Sequence, residues 1–204
     1  MLGIALILVG VVLVHNGVLF MSKTKVVTTL DDGTTTETLV PLAKHSPKSI
    51  AFFNAIVGGI LIFINLLGFA LQPLHHPMAS GFQFYQNIAA GMIFGVTYLF
   101  LAGNLLFKLD MKAFAWFSVG ATIFALIIAS INFRDFIVND FDYGIWLGLL
   151  WVSWFFLWLT APLQFLLGIK KMQSIFPWVS IVVGVIGAFL PAILLLTGIW
   201  GLLG

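Results

Sequence analysis

The 204-residue chain contains no cysteine, which excludes disulfides, thiolate nucleophiles and thiolate metal sites. Charge is nearly absent too. Asp, Glu, Lys and Arg make up 8% of the residues, against about 25% in a soluble domain, and so few ionised groups cannot cover a water-facing surface. Hydrocarbon takes their place, with 61% hydrophobic residues and a mean hydropathy of +1.14. The net charge of +2 comes from a handful of lysines. That balance gives no reason to expect nucleic acid as a partner, and it bears on membrane topology instead.

A spanning helix needs about 20 mostly apolar residues. Uncharged runs of that kind extend over Leu2 to Phe20, Ser49 to Leu71, Phe84 to Phe107, Ala113 to Ile131, Gly144 to Leu167 and Phe176 to Trp200. No linker divides them, so residues 1–204 are expected to form one all-α membrane domain, a bundle of six transmembrane helices. The first run lacks a basic leader and a small-residue cleavage site and is read as a retained helix. Lys23, Lys25, Lys44 and Lys48 fall in the first loop, Lys108 and Lys112 in the third, and Lys170 and Lys171 in the fifth; Arg134 alone falls elsewhere. Short loops rich in Lys and Arg stay in the cytoplasm, which predicts cytoplasmic loops one, three and five and both termini outside. Within the first loop, residues 21–48, two β-branched stretches flank Asp31-Asp32-Gly33, a pattern that predicts a small β-hairpin.

All seven acidic and all nine basic residues lie in the expected loops. Proton relays, ion coupling and voltage sensing place ionisable side chains within the bilayer, so the expected cargo is neutral; a cation held by backbone carbonyls is a weaker alternative. Enzyme chemistry needs convergent His, Cys, Asp, Glu or activated Ser. The spans offer His15 alone, so no catalytic residue, metal or cofactor is expected. His75 and His76, adjacent in the second loop, are candidates for pH sensing or metal binding, set against the plainer reading that they are simply solvated. His45, beside Lys44 and Lys48, reads as a headgroup contact.

The fifth run carries Trp151, Trp154 and Trp158 at spacings of three, four and seven, which places them on one helix face. Tryptophan normally gathers at the membrane interfaces. Mid-span, its indole N–H needs a protein partner, and so does the hydroxyl of Tyr98. A pore lining and ordinary helix packing are both consistent with the stripe. Gly91 and Gly95 have the small-xxx-small spacing of closely approaching helices, and Gly58, Gly59, Pro162 and Pro191 mark further contacts or kinks. Asn16, Asn54 and Asn104 are polar groups of the spans for which pore and packing roles both stand; His15, Asn65, Gln86, Asn87 and Gln164 read as packing groups by default.

These residues resemble a known family, the bacterial urea and short-chain amide channels of the AmiS/UreI group. The resemblance is carried by Met1-Leu-Gly with Val9, Leu13 and Asn16-Gly17; by Lys48-Ser49 with Asn54 and Val57-Gly-Gly59; and by Phe94-Gly-Val-Thr-Tyr98 with Asn104. Trp151-Val-Ser-Trp154, Leu157-Trp-Leu-Thr-Ala161 and Pro177-Trp178 with Pro191 complete it. The family resemblance implies a homo-hexameric ring in which each protomer has its own pore, narrowed at positions matching Leu2, Val9, Leu13, Phe94, Tyr98, Trp151, Trp154, Leu157 and Trp158. It implies a multi-pass protein of the bacterial cytoplasmic membrane that supplies a cytoplasmic urease or amidase. Acid-gated members carry His-rich, acidic outer segments and a glutamate in the last helix, where this chain has Val183. A longer first cytoplasmic loop is the second departure.

The expected function is therefore passive passage of small neutral planar amides, urea or acetamide-type, without strong acid gating. A non-transporting scaffold or enzyme subunit, and an ion-coupled secondary transporter, are the competing readings.

Overall fold

Lipid offers no hydrogen-bond partners, so each backbone N–H and C=O that crosses it must be satisfied within the protein. In the computed structural model, which describes residues 2–21, 23–29, 35–41, 47–75, 81–139 and 144–199, the apolar runs meet that demand as helices. The elements are α1 (Leu2–Met21), β1 (Lys23–Thr29), β2 (Thr35–Pro41), α2 (Pro47–His75), α3 (Gly81–Phe107), α4 (Lys112–Asn139) and α5 (Gly144–Phe165). The last span is built from α6 (Met172–Gly184), a π-helical turn (Val185–Phe189) and α7 (Leu190–Leu196). Among the described residues, six segments are long and apolar enough to cross a membrane. β1 and β2 pair antiparallel, from Lys23 opposite Pro41 to Thr29 opposite Thr35; the Asp31-Asp32-Gly33 turn lies outside the described residues.

Helix ends differ from the sequence reading in places: α2 runs from Pro47 to His75 instead of Ser49 to Leu71, and α3 starts at Gly81 instead of Phe84, though it ends at Phe107 as expected. α4 continues to Asn139 instead of stopping at residue 131, and it carries Arg134 and Asp135 on its last turns, paired at 2.8 Å. Its 28 residues span roughly 42 Å at 1.5 Å per residue, more than the roughly 30 Å of hydrocarbon, so a charge can sit on a helix without sitting in the membrane. α3 ends at Phe107, where Lys108 takes a left-handed φ of 54° and the Leu109 N–H reaches back to the Asn104 carbonyl at 3.1 Å. This is the Schellman closure, with lysine in the place glycine usually holds.

The helices pack as three close pairs: α1 with the last span, α2 with α3, and α4 with α5. Glycine sets the distance in each. On α1, Gly3, Gly10 and Gly17 recur every seventh residue and face Leu196, Phe189 with Gly184, and Ile181 with Pro177 in turn, an antiparallel order. A Cβ at Gly10 would lie 3.0 Å from the Gly184 carbonyl oxygen, and one at Gly17 2.7 Å from that of Pro177. Gly58 and Gly95 face each other's carbonyls between α2 and α3, Gly91 receives the Asn65 amide, and Gly148 receives the ring of Phe133. Close approach replaces the hydrophobic drive that lipid removes. Gly59, by contrast, has open space around it.

Candidate functional site: a buried aromatic layer and the cavity beneath it

Trp151, Trp154 and Trp158 all turn inward; they are 4%, 5% and 3% exposed, whereas Trp146 on the same helix is 55% exposed. The indoles meet Phe94 of α3. Its ring centroid lies 5.0 Å from Trp154, edge-on, 4.7 Å from Trp158 and 6.3 Å from Tyr98, stacked. Trp151 extends the cluster, 4.7 Å from Trp154 and 5.5 Å from Phe124. Edge-to-face and tilted pairs at such distances place positive ring edges on negative ring faces, which holds the rings against one another.

Buried indole N–H groups need acceptors, and neighbouring helices provide them. Trp158 donates to Thr97 Oγ1 at 3.2 Å, and that hydroxyl donates to the Ile93 carbonyl at 2.7 Å. Trp154 donates to the Gly187 carbonyl at 3.1 Å. That carbonyl is available for a covalent reason: Pro191, four residues on, has no N–H to return to it. The helix answers with the π turn, closed by the Leu190 N–H on the Val185 carbonyl. The indoles of Trp154 and Trp158 are thus committed to protein. The Tyr98 hydroxyl, buried within the same cluster, has no hydrogen-bond partner among the described residues, and the same holds for His15 Nδ1 beside Phe53.

Below this layer, toward the ends of α1, α3 and α5, lies a cavity of about 380 Å³. Leu13, Asn16, Phe94, Tyr98, Leu157 and Trp158 of the sequence-predicted set stand on its wall. Val9, Trp151 and Trp154 do not; they are buried in the core on the far side of Phe94. Leu2 opens α1, its side chain outside the described residues, as are the side chain of His75 and all of His76. Asn54 stands behind Asn16, the two amides bonding reciprocally at 2.9 and 3.0 Å, and Asn54 also reaches the Ile50 carbonyl at 2.8 Å. Asn104 closes the α3–α4 turn and donates to Met111 Sδ at 3.4 Å. Among the described residues no three His, Cys, Asp or Glu converge on a common point.

Sequence reasoning missed much of the wall. Leu101, Leu105, Met111, Phe114, Ser118, Thr160, Gln173 and Phe176 line the cavity together with Gln164, for which the sequence suggests packing by default. No periodicity within one helix marks residues that five segments bring together. Thr97, which orients Trp158, had one local signal: it lies beside Tyr98 in the stretch that carried the family resemblance. Ser118 and Thr160 turn their hydroxyls back to the Phe114 and Leu157 carbonyls at 2.9 and 2.7 Å, which leaves the wall mainly hydrocarbon.

Comparison with known proteins gives a concordant picture. Residues 35–199 match the model of the AmiS/UreI family transporter. The chain is 30% identical over 220 aligned positions to the acid-activated urea channel of Helicobacter pylori, covering 98% of this chain and all of that one. It is 28% identical over 165 positions to the "Putative amidate substrates transporter protein" of Mycolicibacterium smegmatis, covering 79% of this chain and 70% of the relative. The crystal structure of the Helicobacter pylori urea channel superposes with a TM-score of 0.71 at 32% identity, over 96% of this chain and 97% of that one.

Proposed function

The chain belongs to the AmiS/UreI family of transporters, and on that premise we propose that it is a passive channel for urea or short-chain amides. The observation that carries this reading is the layer of buried rings around Phe94, which closes a cavity whose wall, among the described residues, has no ionisable side chain other than Tyr98. Flat neutral solutes fit such a layer. Ring faces and aliphatic groups form a slot for a planar molecule, while a charged one would lose its hydration with nothing to replace it. Weak contacts let a solute leave as readily as it enters. Because the Trp154 and Trp158 indoles are engaged, the Tyr98 hydroxyl is a group of the ring layer that can replace a lost water; a buried hydroxyl without a partner costs about 1–3 kcal/mol, which a passing amide that bonds to it recovers. Urea, which the name of the Helicobacter pylori relative gives as its cargo, has this neutral planar character.

The same reading puts loops one, three and five in the cytoplasm, supported by their lysines, and gives each protomer of a hexamer its own route, supported by the family resemblance. A cytoplasmic urease or amidase then consumes what enters. The channel is open at neutral pH: the last span has the buried, apolar Val183 where acid-gated members carry glutamate. Stopped-flow swelling of proteoliposomes tests the proposal. Urea and acetamide should enter faster than into empty liposomes, with no requirement for a proton gradient and no several-fold rise between neutrality and about pH 5, where histidine charges. Swelling no faster than in empty liposomes would favour the scaffold reading, and dependence on a gradient would favour coupled transport.

A further inference from the structure

We propose that the cavity below Phe94 is a binding site for aryl-substituted ureas and amides, which enter from the side of loops one, three and five and block the route instead of crossing it. The proposal rests on the channel reading, but it is carried by features that reading does not use. The first is size. About 380 Å³ is far more than a four-heavy-atom urea fills, whereas an apolar protein cavity of about 150 Å³ already takes benzene; a ring bearing a urea group fits the larger space.

The second is chemistry. Phe114, Phe165, Phe176 and Met111 face the cavity and offer an aromatic and thioether lining that a bare urea cannot exploit but a ring can. On the α1 side of the wall Asn16 spends one N–H and one carbonyl lone pair on Asn54, which leaves one of each for an amide. Nearer the mouth the Gln164 carboxamide has no hydrogen-bond partner among the described residues.

The third is asymmetry. At the deep end the Phe94 centroid is 4.7 Å from Trp158 and 5.0 Å from Trp154, so no aromatic ring passes between them without displacing one. At the other end exposed lysines lie in the chain between residues of the wall, Lys112 between Met111 and Phe114, and Lys170 and Lys171 between Phe165 and Gln173. An anionic group on the far side of the ring would therefore stay at the mouth, in water and near positive charge.

The probe that follows is 4-ureidobenzoate, which is charged and therefore membrane-impermeant, with ring-free 3-ureidopropionate as control. Urea-driven swelling is measured in vesicles of both polarities, the exposed face identified by trypsin cleavage at Lys170 and Lys171, and binding is measured separately by calorimetry on the purified protein. The expected result is saturable binding of 4-ureidobenzoate, block of urea entry only when it reaches the lysine face, and little effect of 3-ureidopropionate. Phe165→Ala should weaken binding several-fold, and Gln164→Leu serves the same purpose if the first variant fails to fold. Equal block from both faces, equal potency of the ring-free control, or urea flux without saturable binding would overturn the site. Saturable, Phe165-dependent binding in a protein that passes no urea would leave the site standing and overturn the channel reading.

Discussion

At the level of single residues, the buried polar atoms divide into those with partners and those without, and the division predicts opposite mutational outcomes. Asn16 and Asn54 satisfy each other, so removing one strands the other in a nearly anhydrous place, at about 1–3 kcal/mol. Asn54→Leu should lower the unfolding midpoint in detergent by that order, and the double variant Asn16→Leu with Asn54→Leu should recover part of the loss, because paired apolar replacements leave nothing unsatisfied. A double variant worse than the sum of its parts would contradict the assignment. Tyr98 predicts the reverse. Its hydroxyl has no partner among the described residues, so Tyr98→Phe should keep or raise stability while reducing urea flux several-fold; lost stability with unchanged flux would make the hydroxyl structural. That Trp151, Trp154 and Trp158 share a face was readable from their spacing, and its inward turn from the need of a mid-span indole N–H for a protein partner. Their acceptors were not, since Thr97 and Gly187 are remote in sequence; for Gly187 the one clue was Pro191, whose missing N–H frees a carbonyl, and for Thr97 it was the place beside Tyr98.

At the level of elements, the spans were legible because lipid imposes one length and one polarity on whatever crosses it. Their ends were less so. Counting charge stopped α4 before Arg134, although a helix may run on into the headgroups, where a charge is at no disadvantage. Close approach at Gly91 and Gly95 could be read from a four-residue spacing, whereas the Gly3, Gly10 and Gly17 stripe repeats every seven residues and needs its partner helix to be recognised. Space around each glycine decides its substitution. Gly10→Ala would press on the backbone of the last span, with Gly184 oxygen at 3.0 Å and Phe189 nitrogen at 3.1 Å, and should cost about 1–3 kcal/mol, as overpacking does. Gly59→Ala, with nothing within 4 Å, should be neutral or stabilising by up to about 1 kcal/mol from helix propensity. Thermal melts of the two variants in one detergent make the comparison, and similar losses in both would argue against the packing described.

For the molecule as a whole, three glycine-set helix pairs surround an aromatic layer that touches no charge, with an apolar cavity on one side of it. Composition announced the neutrality: ionised side chains are confined to the ends of the chain's spans and to its loops. The cavity itself was not announced, because its wall comes from five segments, each contributing a few residues that look like ordinary core. Neutrality is also where the account is most exposed. Urea and guanidinium are both planar and have four heavy atoms, and they differ chiefly in one positive charge, so a slot that selects by shape alone would pass both. The decisive measurement is the initial influx of each into proteoliposomes at equal concentration and neutral pH, compared with empty liposomes. Urea should enter well above the empty-liposome rate and guanidinium no faster than that rate; guanidinium entering as fast as urea would contradict an uncharged, ring-lined route.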